Sequence, residues 1–257
     1  MGAEIWFIAY AGVLGAAVGS FLNVCISRLP AGESLISPRS RCPDCGTPIA
    51  WYDNIPILGW VLLRARCRTC SQPISFQYPL VELLTMLIWA GLAWYLGPGW
   101  RALQGAILFS LLLAIGLIDA RHYLIPDALS LGGLGAGLAL SLLPGTPTPL
   151  SALVGAALGF LVLFAVGFFG EMAFKKPAMG GGDMKMMAMV GAFVGPAGAL
   201  LSIFLGALAG TLIFGPISLK TKKLVPFGVF LAVGAAAAFL FGDSFVDWYR
   251  TTILGMG

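Results

Sequence analysis

The stretch LQGAILFSLLLAIGLIDARHYLIPD, residues 103–127, decides the fold. Its first part is an apolar run that ends at Asp119, and its last part reopens into another apolar run after Pro126. An ionisable side chain at membrane depth is costly to keep, so Asp119 is a functional-site hypothesis by default. A second segment, MGGGDMKMMAMVG at 179–191, opens the same way with Asp183. Two carboxylates brought to one face of a membrane suggest aspartyl chemistry inside the bilayer.

Composition agrees with a membrane protein. The chain is 59% hydrophobic and 10% charged, with mean hydropathy +0.93, too apolar for a soluble domain of 257 residues. A helix needs about 20 apolar residues to cross ~30 Å of hydrocarbon. Eight such runs are expected, near 5–25, 79–96, 102–119, 126–143, 151–170, 184–197, 199–217 and 224–241. The sixth is short and Met-rich, and it is either tilted or merged through Gly195-Pro196 into the seventh. The first run lacks a basic leader and continues into LNVCISRLP without a small-residue cleavage signal, so it reads as a retained helix. The fold class is therefore an all-α polytopic membrane protein.

Charge orients the runs. With the N-terminus outside, the inner segments hold Arg28, Arg39, Arg41, Arg64, Arg66, Arg68, Arg121, Lys175, Lys176, Lys185, Lys220, Lys222 and Lys223. Only Arg101 and Arg250 fall outside, leaving 13 of 15 cations on the cytoplasmic side. The net charge of +4 thus follows from topology and needs no nucleic-acid partner; the expected contact is the lipid bilayer with its anionic headgroups. The expected division is a first transmembrane helix at 1–25, a cytoplasmic module at 26–78, and a membrane-embedded region at 79–257.

The module carries Cys42-x2-Cys45 and, 21 residues later, Cys67-x2-Cys70. Two such pairs read as a four-thiolate zinc site, each pair folding into a knuckle and the two completing a tetrahedron. The halves repeat: CPDCGTPI and CRTCSQPI are each followed by an aromatic at the same offset, Trp51 and Phe76. Two disulfides or free thiols are the bland alternative, and a reducing cytoplasm argues against disulfides. Four thiolates leave no open coordination position, so the expected role of zinc is structural. Cys25, at the inner end of the first run, reads as a buried small apolar residue.

Among the carboxylates, topology places Asp119 at the inner end of the third run and Asp183 at the inner start of the sixth. Gly180, Gly181 and Gly182 remove side chains just before Asp183, permitting positive φ and close approach of another backbone. A helix C-terminus disfavours charge on Asp119 and a helix N-terminus favours it on Asp183, so Asp119 is expected to hold a shared proton and Asp183 to activate water. Asp127 is expected to cap the fourth run. Lys185 contacts substrate or a carboxylate, or simply snorkels to the boundary. Met179, Met184, Met186, Met187 and Met189 read as core packing or an adaptable groove. His122 reads as a solvated loop residue, and Glu82 as an inner-boundary carboxylate without an assigned partner.

These motifs resemble those of bacterial prepilin peptidases, the type IV leader peptidase family of intramembrane aspartic proteases. The resemblance runs through GSFLNVCISRLP at 19–30, the paired cysteine module, YPLVELL at 78–84, DARHYLIPD at 119–127, GGGDMK at 180–185 and VPFGVFLAVGA at 225–235. It implies an enzyme of the bacterial inner membrane that removes the basic leader of type IV prepilins or type II secretion pseudopilins. Such enzymes cut after a glycine at the cytoplasmic face, with Asp119 and Asp183 as the catalytic pair. It also implies N-methylation of the new N-terminus with S-adenosylmethionine, for which the sequence contains no strand–GxGxxG–helix unit. Gly181, Gly182 and Lys185 are candidate substrate contacts. The rival readings are a proton-coupled transporter with a zinc gate and an assembly scaffold for pilus or secretion machinery. Both aspartates lying at one face, and not along a path, speak against the transporter.

Overall fold

A computed structural model describes residues 2–176, 179–221, 226–253 and 255. Lys222 and Lys223 of the expected inner loop, and Val225 of the last motif, lie outside the described residues. Among the described residues the chain forms eight α-helices and no strand. They are α1 (Gly2–Arg28), α2 (Leu58–Leu62), α3 (Gln77–Leu96), α4 (Trp100–His122), α5 (Asp127–Leu140), α6 (Pro149–Phe174), α7 (Gly181–Thr221) and α8 (Phe227–Trp248). Six of them contain stretches long and apolar enough to cross a membrane.

The chain divides into two compact units, Met1–Ser110 and Leu111–Gly257, with the boundary inside α4. In the first unit α1 packs on α3 through its glycines. A Cβ on Gly15 would stand 2.7 Å from the Thr85 carbonyl oxygen, and one on Gly19 would stand 2.7 Å from Glu82 Cα. Such contacts drive association in lipid, where van der Waals packing replaces the hydrophobic effect. Asn23 Nδ2 donates to the Tyr78 carbonyl at 3.0 Å, fixing the end of α1 to the start of α3. The 26–78 segment is thereby closed at both stems. Cys25 is buried, as expected of a small apolar residue.

The second unit depends on one glycine. Gly195 has φ 72° and ψ −176° within α7. Gly182 lies against Ile125, where a Cβ would come within 2.9 Å of Ile125 Cβ, and Gly228 lies 2.9 Å from Ile125 Cδ1 by the same measure. Gly210 lies beside Phe230, two residues beyond Gly228. A straight rod would hold Gly182 and Gly210 about 42 Å apart, which these shared neighbours do not allow. α7 therefore folds back at Gly195 into two limbs, matching the separate sixth and seventh runs expected from sequence.

Each limb has its own partner. α6 runs antiparallel to the first limb, with Gly155 on the Gly191 backbone, Gly159 on Met187, and Gly167 beside Met184. α8 runs antiparallel to the second limb, with Gly234 on the Ser202 carbonyl and Gly206 beside Leu231. Met186, Met187 and Met189 are fully buried here, which settles them as core.

The fourth run is shorter than the 126–143 expected. α5 has 14 residues, about 21 Å of helix. Thr146 Oγ1 donates to the carbonyls of Leu140 at 2.9 Å and Leu143 at 2.7 Å, turning the chain out of the helix. α6 then starts on Thr148, whose side chain accepts the Ser151 N–H, with Pro149 in the first turn.

Gly195→Ala puts a side chain into the left-handed region and 2.8 Å from Ser151 Oγ. It should cost about 1–2 kcal/mol of stability, read as a lower unfolding midpoint in detergent. Gly135→Ala, which meets open space, should not lower it.

Candidate active site and metal centre

Asp119 sits on the last turn of α4, its own carbonyl accepting the Tyr123 N–H at 2.9 Å. Tyr123 takes φ 52°, ending the helix in the left-handed conformation. The chain then runs extended through Ile125 to Pro126 and begins α5. The Asp119 carboxylate is buried, and its Oδ2 accepts the Val229 N–H at 3.2 Å. Asp183 lies in the first turn of α7, half-buried, its N–H bonded to the Gly180 carbonyl at 3.2 Å. The two carboxylates lie close enough for the charge of one to act on the other.

The arrangement revises one expectation. The dipole of α4 alone would disfavour charge on Asp119. Its carboxylate instead meets the free N–H groups opening α8, so a helix N-terminus serves each aspartate. The unfavourable pole expected of α4 at Asp119 is therefore countered by α8.

Glycine makes the approach possible. A Cβ on Gly228 would stand 2.9 Å from Asp119 Oδ2, and one on Gly182 would strike Ile125. Gly182 acts here through close packing and not through positive φ, which the residue does not adopt. Gly181 faces open space. Sequence reasoning gave Gly228 and Val229 no role, although the motif containing them was noticed; a glycine in an apolar helix carries no local sign of such a contact.

Lys185 Nζ lies 2.8 Å from both Asp127 carboxylate oxygens, tying the first turn of α7 to the first turn of α5. Of the readings for Lys185, contact with a carboxylate is the one observed. Asp127 makes no capping bond; Pro126 holds the N-cap position and the side chain turns to the lysine. His122 is exposed.

In the 26–78 segment the cysteine repeat folds as a repeat. Cys42 N–H bonds to the Thr47 carbonyl at 3.0 Å, and Cys67 N–H to the Gln72 carbonyl at 2.9 Å. The returning bonds are Gly46 N–H to Cys42 and Ser71 N–H to Cys67. Each knuckle closes with an antiparallel bridge, Arg41 to Pro48 and Arg66 to Pro73. Gly46 and Ser71 both take positive φ, 71° and 58°.

All four Sγ atoms lie within 4.8 Å of one another, and Cys42 and Cys70 are 3.8 Å apart. A tetrahedron of thiolates at about 2.3 Å from a metal has edges of about 3.8 Å. The set therefore fits one tetrahedral metal ion. The hydroxyl and backbone N–H of Thr47 bond to Cys45 Sγ and hold its thiol down at about 6. Backbone N–H groups of Cys70 and Thr69 lower Cys67 in the same way. These bonds favour the deprotonated form that binds metal. Arg68 joins the halves, with Nε donating to Asp53 Oδ2 at 2.8 Å and its guanidinium over the Tyr52 ring.

Fold and site define a class: a polytopic helical membrane protein with two aspartates at helix ends within electrostatic reach of each other, and a separate four-cysteine knuckle pair. Comparison with known proteins is specific. The type IV leader peptidase family matches residues 106–215, and the Bacterial Peptidase A24 N-terminal domain matches residues 13–96. The prepilin leader peptidase/N-methyltransferase of Aeromonas hydrophila is 40% identical over 268 residues, covering 92% of this chain and 91% of that protein. The protein of the same name from Pseudomonas aeruginosa is 36% identical over 92% of this chain and 91% of its own length. That from Myxococcus xanthus is 44% identical over 80% of this chain, and the match spans 63% of its length. No solved structure matches. The chain belongs to the type IV leader peptidase family.

The cysteine geometry predicts one bound metal ion per purified chain. Cys67→Ser should lose that ion and lower the unfolding midpoint, because metal binding supplies folding free energy to so small a module. Elemental analysis beside a melting curve reads both.

Proposed function

We propose that the chain is a prepilin leader peptidase whose catalytic pair is Asp119 and Asp183. One observation carries this reading: two aspartates at the ends of apolar helices lie within electrostatic reach of each other, in a chain whose relatives bear that name. One carboxylate takes a proton from water while the oxygen attacks the peptide carbonyl; the other gives its proton to the leaving nitrogen as the C–N bond breaks. The α8 amide fixes the orientation of Asp119 through this sequence. The open space over Gly181 leaves room for an extended backbone. The substrate is a prepilin or pseudopilin whose apolar helix lies in the bilayer, its basic leader cut off after a glycine.

The cytoplasmic membrane is the site of action. With 13 of 15 cations on the inner side, the 26–78 segment and both aspartates face the cytoplasm. In functional terms 1–25 is the first transmembrane helix, 26–78 the metal module and 79–257 the peptidase region. Zinc is the metal that suits four thiolates, held by Cys42, Cys45, Cys67 and Cys70 in a structural role. Methyl transfer to the new N-terminus is the second activity, as the relatives' shared name implies. S-adenosylmethionine supplies an electrophilic methyl group; the chain's task is to seat it and admit the amine.

Asp119→Asn and Asp183→Asn should each lower leader cleavage by about 10²–10⁴-fold, measured with purified enzyme and a prepilin. Full cleavage in either would remove that aspartate from the mechanism. Gly228→Ala, which crowds Asp119 Oδ2, should lower kcat by about 10²-fold with KM little changed. Gly116→Ala, on the same helix as Asp119 but in open space, should leave kcat intact.

A further inference from the structure

In the first unit, the face of α1 turned away from its glycines lines a cavity. Gly15 and Gly19 pack on α3, and Ala17 and Phe21, each two residues further on, stand about 200° around the helix from them. Ala17, Phe21, Val24 and Arg28 recur at steps of four, three and four, so they form one stripe. Ala17 and Phe21 are exposed. From Ala17 to Arg28 the stripe is about 16 Å long, close to half of a ~30 Å hydrocarbon core. It ends in the last turn of α1, at the end that the distribution of cations assigns to the cytoplasmic face. The whole stripe lines a cavity of about 330 Å³, whose other walls are the loop from Leu35 to Ser40 and Asn54.

Its charge is of one sign. Arg28 and Arg39 line it, and no acidic side chain does. Two acids of the same unit are engaged elsewhere: Asp53 pairs with Arg68, and the buried Glu82 accepts the Ile57 N–H at 2.7 Å. Arg28 Nη1 donates to the Ser34 carbonyl at 2.9 Å, holding the loop against α1. A guanidinium carries five N–H donors, so Arg28 keeps others for a ligand. The Arg39 side chain is exposed and makes no ion pair among the described residues. Paired guanidinium donors of this kind match the oxygens of a phosphate.

We propose that this cavity holds the headgroup of an anionic phospholipid of the inner leaflet. Arg39 and Arg28 take the phosphate oxygens, and Asn54 and Ser40 meet the polar remainder of the headgroup. One acyl chain lies along Val24, Phe21 and Ala17, a stripe as long as the leaflet is deep. A soluble phosphate compound would fill the basic end and leave the apolar stripe bare. A zwitterionic lipid would cover the stripe but bring its own cation against the arginines. An anionic lipid matches both ends, and its headgroup braces the 35–40 loop against α1. The site is independent of the peptidase and methyltransferase readings.

The test is native mass spectrometry of the full-length, metal-loaded protein in detergent, titrated with dioleoylphosphatidylglycerol or dioleoylphosphatidylcholine. The wild type should bind a phosphatidylglycerol about tenfold tighter than phosphatidylcholine. Arg39→Ala should raise the phosphatidylglycerol Kd about tenfold, with phosphatidylcholine binding, metal content and unfolding midpoint unchanged. Arg66→Ala, an exposed arginine outside the cavity, should bind as wild type. A phosphatidylglycerol carrying a diazirine on its acyl chain should label wild-type peptides within 17–54, a result that decides the site even if Arg39→Ala does not fold. Equal Kd for the two lipids, a preference that Arg39→Ala keeps within twofold, or a label confined elsewhere overturns the site. So does displacement of the lipid by inorganic phosphate at constant ionic strength, which would make the cavity a seat for a soluble anion.

Discussion

The candidate site depends on three helix ends closing around one isoleucine. Ile125 is held between Gly182, opening α7, and Gly228, opening α8, and it lies six residues past Asp119. Neither approach would survive a Cβ at those glycines. The absence of two methyl groups brings Asp119 onto the α8 amides and sets Asp183 within electrostatic reach of it. Lys185 and Asp127 then bind the openings of α7 and α5 to each other at 2.8 Å. Paired charges are the form in which such groups are tolerated at a membrane boundary.

That closure requires α7 to return on itself. An unbroken helix of 41 residues would reach about 61 Å, twice the thickness of a bilayer core. Gly195 adopts a conformation forbidden to most residues and converts one long rod into two limbs. The first limb ends where α6 can cover it by glycine contacts, and the second ends where α8 can. Small residues do in lipid what large apolar side chains do in water, because close backbone approach is the main source of attraction there.

Much of this was legible in the sequence, and the remainder has a common cause. The aspartates, the cysteine spacing and the apolar runs are local signals; the four cysteines do come together, and the apolar runs become helices, the fourth shorter than expected. The knuckles fold as the repeat CPDCGTPI/CRTCSQPI demands, down to matching positive φ at Gly46 and Ser71. The particular partners that sequence did not assign join residues far apart in the chain. Val229 meets Asp119 across 110 residues, Lys185 meets Asp127 across 58, and Ile57 meets Glu82 across 25. No periodicity or motif announces such pairs. Asp127 illustrates the limit: it stands in the first turn of α5, as an acid there should, but it makes no capping bond, and its lysine partner has no local sign.

The two aspartates illustrate a further limit of local reasoning. Taken with only its own helix, Asp119 stands at the unfavourable pole of a dipole. Taken with its tertiary neighbours, it stands at the favourable pole of α8, so its electrostatics are set by a helix that begins more than a hundred residues later. The same logic bears on substrate. A pilin helix entering from the bilayer must expose an extended stretch, since its own amides are bonded internally. The open space over Gly181, beside an aspartate in the first turn of a helix, leaves room for such a stretch. Gly182, which lets the opening of α7 approach Ile125, thus stands next to a glycine that leaves space for a backbone.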